Sequence, residues 1–152
     1  MTIYATMREM SVEEVKASVR RSIEALNRGK AACLIDMDRT GATDVVVHTA
    51  YGMDIHGLED FKKLMSQWYD GFPDIHFNID DIVVEGDMAV LRYTVTGTHK
   101  GAFMGIPPTN KTLTGWAIDI YHIVGSKLVE CWTRADTLGI MQQLGVIPTP
   151  KK

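Results

Sequence analysis

Two long runs in the second half of the chain constrain its fold most. IHFNIDDIVVEGDMAVLRYTVTGTH spans residues 75–99 and KTLTGWAIDIYHIVGSKLVECWTRAD spans 111–136. Each is rich in β-branched and aromatic residues and is broken once, at Gly86-Asp87 and at Gly125-Ser126, where a tight turn can reverse the chain. Two hairpins of this length make an antiparallel sheet with an apolar side that has to be covered. The first half supplies the cover. Ser11-Val12-Glu13-Glu14 is a capping box, after which Val12, Val15, Val19, Ile23 and Leu26 recur at spacings of three and four until Gly29. A shorter helix is expected over about 30–37, then a turn at 39–43 into the β-rich Val45-Val46-Val47-His48. Gly57 opens another amphipathic helix with Leu58, Phe61, Met65 and Trp68 on one face, and Gly71-Phe72-Pro73 ends it. A short helical tail is expected over 137–146. Helices first and long antiparallel strands afterwards predict an α+β fold. Its strongly curved, mostly antiparallel sheet packs around the N-terminal helices as a cone-shaped barrel, with an apolar interior suited to a small ligand.

At 152 residues the chain fits one domain, read here as 1–152 with a core over about 12–146. Sixteen Lys and Arg against nineteen Asp and Glu give a formal charge of −3, with no basic run longer than a pair such as Lys151-Lys152. Nucleic acid and anionic membranes are poor partners for such a surface. Cys33 and Cys131 lie far apart without CxxC spacing, and read as two packed thiols rather than a zinc site or a disulfide framework. The N-terminal MTIYATMREMSVEE lacks the pattern of a secretion signal, and no apolar run approaches the roughly 18 residues of a membrane helix. A cytoplasmic protein is the expectation.

One residue does not fit a buried strand. In WAIDIYHI, Asp119 lies between Ile118 and Ile120, and a carboxylate taken out of water without partners costs several kcal/mol. Alternation puts Ala117, Asp119, Tyr121 and Ile123 on one face and Trp116, Ile118, Ile120 and His122 on the other. Three readings of Asp119 are open: a solvent-facing acid, a buried ion pair with Arg92, or a carboxyl in an apolar pocket whose raised pKa suits it to exchanging protons near neutral pH. Among the histidines, His99 ends a strand at the rim where a ligand would enter and His48 closes the VVVH run, whereas His56, His76 and His122 read as surface or packing residues. Asp54-x-His56 and Asp74-x-His76 could each offer two metal ligands, but no third falls at a recognisable spacing, so no metal is expected. No nucleophile elbow, phosphate loop or dinucleotide fingerprint is present.

GTHKGAFMGIPPTNKTL at 97–113, the acid in WAIDIYHI, GSKLVECWTRAD at 125–136 and HTAYGMDIHGLEDFKKLM at 48–65 together resemble the SnoaL-like polyketide cyclases, or ester cyclases, of the nuclear transport factor 2-like superfamily. The resemblance covers about residues 12–146. It implies a cone that closes a ring of a polyketide ester by intramolecular aldol chemistry without metal or organic cofactor. Asp119 is then the acid/base group, and His99 is the hydrogen-bond partner of a substrate oxygen. Arg92 and Trp132 would shape the pocket, with His48, Tyr51, Trp68, Phe103, Met104, Trp116 and Tyr121 as further substrate contacts. A homodimer or homotetramer joined through sheets is also implied. Two positions depart from the pattern: Asn110 stands where a glycine is expected, and Cys131 where histidine is frequent. Rival readings are epoxide hydrolysis or ketosteroid-type isomerisation on the same fold, the former needing Asp119, Arg92 and Asp136 to converge, and a non-catalytic module that binds a small hydrophobic molecule.

Overall fold

The computed structural model describes residues 9–151, so the reading of residues 1–8 and of Lys152 lies outside the described residues. The elements run α1 (Val12–Asn27), α2 (Lys30–Thr40), β1 (Gly41–His48), β2 (Asp54–His56), α3 (Leu58–Gly71), β3 (His76–Glu85), β4 (Met88–Thr98), β5 (Thr112–Val124), β6 (Lys127–Ala135) and α4 (Thr137–Gln143). The α+β class is as the sequence predicts, and so is the order of elements apart from the short β2, which is unexpected. The capping box forms in full: the Ser11 hydroxyl accepts from the Glu14 N–H at 3.2 Å and the Ser11 N–H donates to the Glu14 carboxylate at 2.8 Å. Val15, Val19 and Ile23, one turn apart, are the buried stripe of α1.

Two local expectations are corrected. Instead of a turn at 39–43, α2 runs to Thr40 and β1 starts at Gly41 without an intervening residue. That junction is tight, because a Cβ on Gly41 would stand 2.9 Å from the Met37 carbonyl oxygen. The tail helix stops at Gln143, and the short strand β2 pairs antiparallel with β1.

The six strands lie in the order β2-β1-β6-β5-β4-β3, with β1 parallel to β6 and every other pair antiparallel. The sheet stays open: its edges are β2 and β3, which do not pair with each other, so the expected barrel is an open cone. Register shifts at Gly41/Val46, Ile79/Asp81 and His122/Ile123 mark irregularities of the kind that bend and twist strands, allowing one sheet to wrap around helices. The core runs from α1 through α2 and α3 to the inner face of the sheet, with Val15, Cys33, Val45, Phe72, Leu91 and Leu113 almost fully enclosed. Among the described residues no helix is long and apolar enough to cross a membrane.

Candidate active site

Three central strands share one phase. β4 pairs Leu91 with Asp119 and Tyr93 with Ala117, and β6 pairs Thr133 with Asp119 and Cys131 with Tyr121. Because side chains alternate, the odd-numbered residues of β4 and β5, and of β6 from Cys131 onward, face the helices. They form one wall of a cavity of about 220 Å³, closed on the other side by α1, α2 and the Leu58, Phe61, Met65 and Trp68 face of α3. Carbon dominates its lining. Asp119 interrupts it on the sheet side, with the hydroxyls of Tyr51, Tyr93, Tyr121 and Thr133 and the Cys131 thiol, and Asp36, paired with Arg39, borders it from α2.

Asp119 is 8% exposed. The Tyr121 hydroxyl donates to its Oδ2 at 2.8 Å, while Oδ1 is buried without a hydrogen-bond partner. Burial disfavours the charged form and raises the pKa to about 6, although hydroxyls of Thr133, Tyr121 and Tyr93 near the carboxyl oppose the shift. Of these three, only Tyr121 reaches full hydrogen-bond geometry. Burial, and then the neighbouring Asp119, pushes Tyr93 and Tyr121 well above the usual phenol range, so both remain protonated donors. Burial also pushes Tyr51 up to about 12 and raises the Cys131 thiol. Both cysteines are free and buried, as the spacing suggested. The cavity lining includes no Lys, Arg or His, so a charged Asp119 has no cation beside it.

Tyr121 thus has a measurable duty. Replacing it with Phe removes a hydrogen bond that favours the ionised carboxyl, worth roughly 1.5–3 kcal/mol for a charged acceptor, so the Asp119 pKa should rise by about one unit or more. Carboxyl-carbon NMR titration of wild type and Tyr121→Phe would measure it, and an unmoved midpoint would mean that the hydrogen bond contributes nothing.

Of the residues singled out in the sequence, Asp119, Tyr51, Trp68 and Tyr121 meet at this cavity. Trp116 borders it too, but lies on the outward phase of β5 with its residue 51% exposed. Arg92 does not reach Asp119. It is on the outward phase of β4 opposite Ile118, where its Nε donates to Asp81 Oδ2 at 2.7 Å. Asp136 caps α4, accepting the Gly139 N–H at 2.9 Å, so the Asp-Arg-Asp convergence required for epoxide hydrolysis is absent. Trp132 and His48 are likewise outside, stacked on each other with ring centroids 5.4 Å apart. His48 bridges Glu130 and Asp54 at 2.8 and 2.9 Å, and these two carboxylates, Glu130 first, raise its pKa. The Asp54–His56 pair therefore spends its carboxylate on His48; among the described residues no cluster of three or more His, Cys, Asp or Glu is arranged to hold a metal ion.

His99 also departs from its expected place. It is fully buried and does not border the cavity. Its Nδ1 contacts the Thr109 hydroxyl at 3.0 Å and the Thr109 N–H at 3.3 Å, and its buried Nε2 has no partner. One ring face stacks on Phe72 at 5.1 Å, and Phe72 and Phe103 in turn pack against Trp68, the residue that does reach the cavity. Phe103 is core, and Met104 is 48% exposed on the loop. The GTHKG segment is a packing device: the N–H groups of Lys100 and Gly101 both donate to the Gly71 carbonyl, tying the 100–110 loop to the end of α3. Asn110 adopts φ 57°, a left-handed conformation in which glycine is preferred and asparagine tolerated, so its departure from the pattern preserves the backbone.

Sequence reasoning missed Tyr93, Thr133 and Cys131. The signal lay in the hairpins, since any inward residue of β4 or β6 next to the Asp119 row has to face the same hollow.

The fold and the site define a small α+β cone whose largely apolar cavity carries the buried carboxyl of Asp119 on its sheet wall. The family model for SnoaL-like polyketide cyclases matches residues 16–144, and the chain belongs to that family. Among solved structures it is similar to AclR from Streptomyces galilaeus, described as a candidate hydroxylase, at 29% identity over 93% of this chain and 87% of that one, with a TM-score of 0.81. IdmH from Streptomyces antibioticus, a candidate polyketide cyclase, is 26% identical over 86% of this chain and 98% of its own, with a TM-score of 0.73. A SnoaL-like protein from Jannaschia sp. CCS1, 19% identical with a TM-score of 0.82 over 93% of this chain and 99% of its own, matches in fold. No curated protein matches the sequence.

Proposed function

We propose that the chain is an acid/base enzyme acting without an organic cofactor on a small hydrophobic carbonyl or ester compound. Ring closure by an intramolecular aldol reaction is the specific case. The observation that carries this reading is the buried, unpartnered Oδ1 of Asp119 at the wall of an apolar cavity. A carboxyl with a pKa of about 6 holds and releases a proton at neutral pH, as a general acid and base must.

The steps balance without a co-reactant. Asp119 Oδ1 takes the proton from the carbon beside a carbonyl, and the C–H electron pair becomes the enolate. The enolate carbon then attacks a second carbonyl carbon of the same molecule. The alkoxide so formed takes the proton back from Asp119, and the product is an isomer of the substrate.

The first step can be tested before the substrate is known. Hydrophobic ketones and esters incubated with the protein in deuterated water should gain deuterium beside the carbonyl faster than with Asp119→Asn. Equal rates across a panel would remove the proposal. The likeness to AclR favours a second reading, hydroxylation of the substrate by dioxygen with an external two-electron reductant, one oxygen entering the C–H bond and the other leaving as water; mass spectrometry separates the two, since cyclisation leaves the mass unchanged and hydroxylation adds one oxygen.

The outward sheet face presents Trp116 and Ile120, 51% and 37% exposed. We propose that a second copy of this chain covers them in a homodimer or homotetramer. Sedimentation velocity should then give an oligomer for wild type and a monomer for Trp116→Glu, while a monomeric wild type would refute it.

A further inference from the structure

With His99 sealed behind Phe72, the hydrogen-bond donor to the substrate oxygen has to come from elsewhere, and few groups can supply it. The cavity has no cation and no histidine, and its other hydroxyls divide by position. Tyr121 is occupied, its hydroxyl donating to Asp119 Oδ2. Thr40 and Thr49 give their protons to the Asp36 and Met53 carbonyls at 2.8 Å, while Tyr51 on the β1–β2 loop, Ser18 and Ser22 on α1 and Ser126 in the β5–β6 turn lie off the strands that flank Asp119. Thr133 lies in the same row as Asp119 and contacts the Cys131 sulfur at 3.8 Å. Tyr93 is different. It projects inward from β4, diagonal to Asp119 across the ladder, and borders the cavity beside the carboxyl.

We infer that Tyr93 is a further catalytic residue, donating a hydrogen bond to the substrate carbonyl oxygen while the free Oδ1 of Asp119 removes the neighbouring proton, and that Tyr121 is the positioning residue holding Asp119 Oδ2. The inference rests on the proton-transfer reading of Asp119 given above.

The geometry divides the labour within one carboxyl. An unrestrained carboxylate in an apolar hollow would rotate and offer either oxygen. Fixed through Oδ2 from its own strand, Asp119 offers Oδ1, and the neighbouring strand brings the Tyr93 hydroxyl to the same cavity wall. A carbonyl compound needs such a pair, because abstraction of the proton moves charge onto the carbonyl oxygen, where a preorganised donor in a water-poor site strengthens most. Burial keeps the Tyr93 phenol protonated, so the proton stays on Tyr93 as a hydrogen bond to the enolate oxygen rather than being transferred. The electron pair from the broken C–H bond rests on the enolate, and the proton rests on Asp119.

A planar hydroxy-aromatic mimics the enol: its oxygen accepts from Tyr93 and its proton points to Asp119. An apolar cavity of roughly 150 Å³ suffices for benzene, so about 220 Å³ accommodates a two-ring probe. The probes are therefore 2-naphthol and its hydroxyl-free parent naphthalene, titrated by fluorescence and calorimetry. Tyr93→Phe should weaken 2-naphthol about tenfold, the size of one net hydrogen bond, and leave naphthalene unchanged. The naphthalene arm also reports that the variant is folded. Loss of neither ligand, or of both alike, overturns the assignment of Tyr93. Because the measurement needs no turnover, its result is separate from that of the proton-exchange test: naphthol discrimination without any deuterium exchange would remove the catalytic reading while leaving the donor in place. In Tyr121→Phe, naphthalene binding should persist while deuterium exchange acquires an acid limb at higher pH; an unmoved limb would overturn the positioning role.

Discussion

Asp119→Asn should lower turnover of the enzyme's substrate by about a hundredfold or more, the usual scale of a lost general acid/base group, while the chain stays folded. Asparagine has nearly the shape of the carboxyl and still accepts the Tyr121 proton, but its amide cannot take a proton from carbon. The same substitution separates chemistry from folding through pH. In the folded state Asp119 has a pKa of about 6, against 3.8 for the free side chain, because burial favours the neutral form. An acid whose pKa is raised by folding holds its proton more tightly in the native state, so it favours folding at low pH and opposes it as pH rises from about 4 through about 6. Above that range the penalty is constant. A shift of about two units corresponds to about 3 kcal/mol, partly offset in the variant by the unmet needs of the new amide. Wild type and Asp119→Asn should therefore unfold at similar denaturant concentrations near pH 4, with the variant the more stable at pH 8. A variant as active as wild type would take Asp119 out of the mechanism, and equal stability at both pH values would mean that the acid carries no desolvation penalty.

The residues legible in the sequence are those whose position depends on one strand or one helix alone. Alternation within WAIDIYHI is enough to put Asp119 and Tyr121 on the same side, and the three-and-four spacing of α3 brings Leu58, Phe61, Met65 and Trp68 to one face. What stayed hidden depends on register between strands. Counting straight back from the Gly125-Ser126 turn, the pairs Val124–Lys127 and Ile123–Leu128 would carry on to set Asp119 opposite Trp132, inside the cone. Instead the ladder shifts by one between His122 and Ile123, so that His122 meets Glu130 and Asp119 meets Thr133. One extra residue sends Trp132 and Glu130 outward and Thr133 and Cys131 inward, since a single-residue slip exchanges the two faces of a strand. Arg92 fails for a related reason: β4 and β5 are joined by the 99–111 connection, too long for turn counting to fix their phase. His99 shows the other limit. Its motif glycines are legible as a motif, but whether they serve a ligand or a close backbone approach becomes visible only when α3 is seen beneath the loop.

That close approach gives the largest expected effect on stability. Gly101→Ala should destabilise the fold by several kcal/mol, because a Cβ there would stand 2.0 Å from the Asp70 carbonyl oxygen and 3.0 Å from its carbonyl carbon. The obstruction is backbone at the C-terminal turn of α3, not the end of a side chain that could rotate away. Relief requires the loop to lift, and lifting it breaks the two hydrogen bonds from Lys100 and Gly101 to the Gly71 carbonyl. That carbonyl, at the end of a helix, would then be left without its partners in a buried setting, a cost of roughly 1–3 kcal/mol in addition to the steric term. The disturbance would also travel inward, since Phe103 on the same loop packs on Trp68 with ring centroids 4.4 Å apart, and Trp68 lines the cavity. Chemical denaturation should therefore give a much lower midpoint for Gly101→Ala, accompanied by weaker 2-naphthol and naphthalene binding. Gly86→Ala is the control for the alanine itself: its Cβ would meet nothing within 4 Å, and the cost there is limited to the positive φ of 59°. If Gly101→Ala were no more destabilising than this control, the GTHKG segment would lose its role as the latch between the loop and α3.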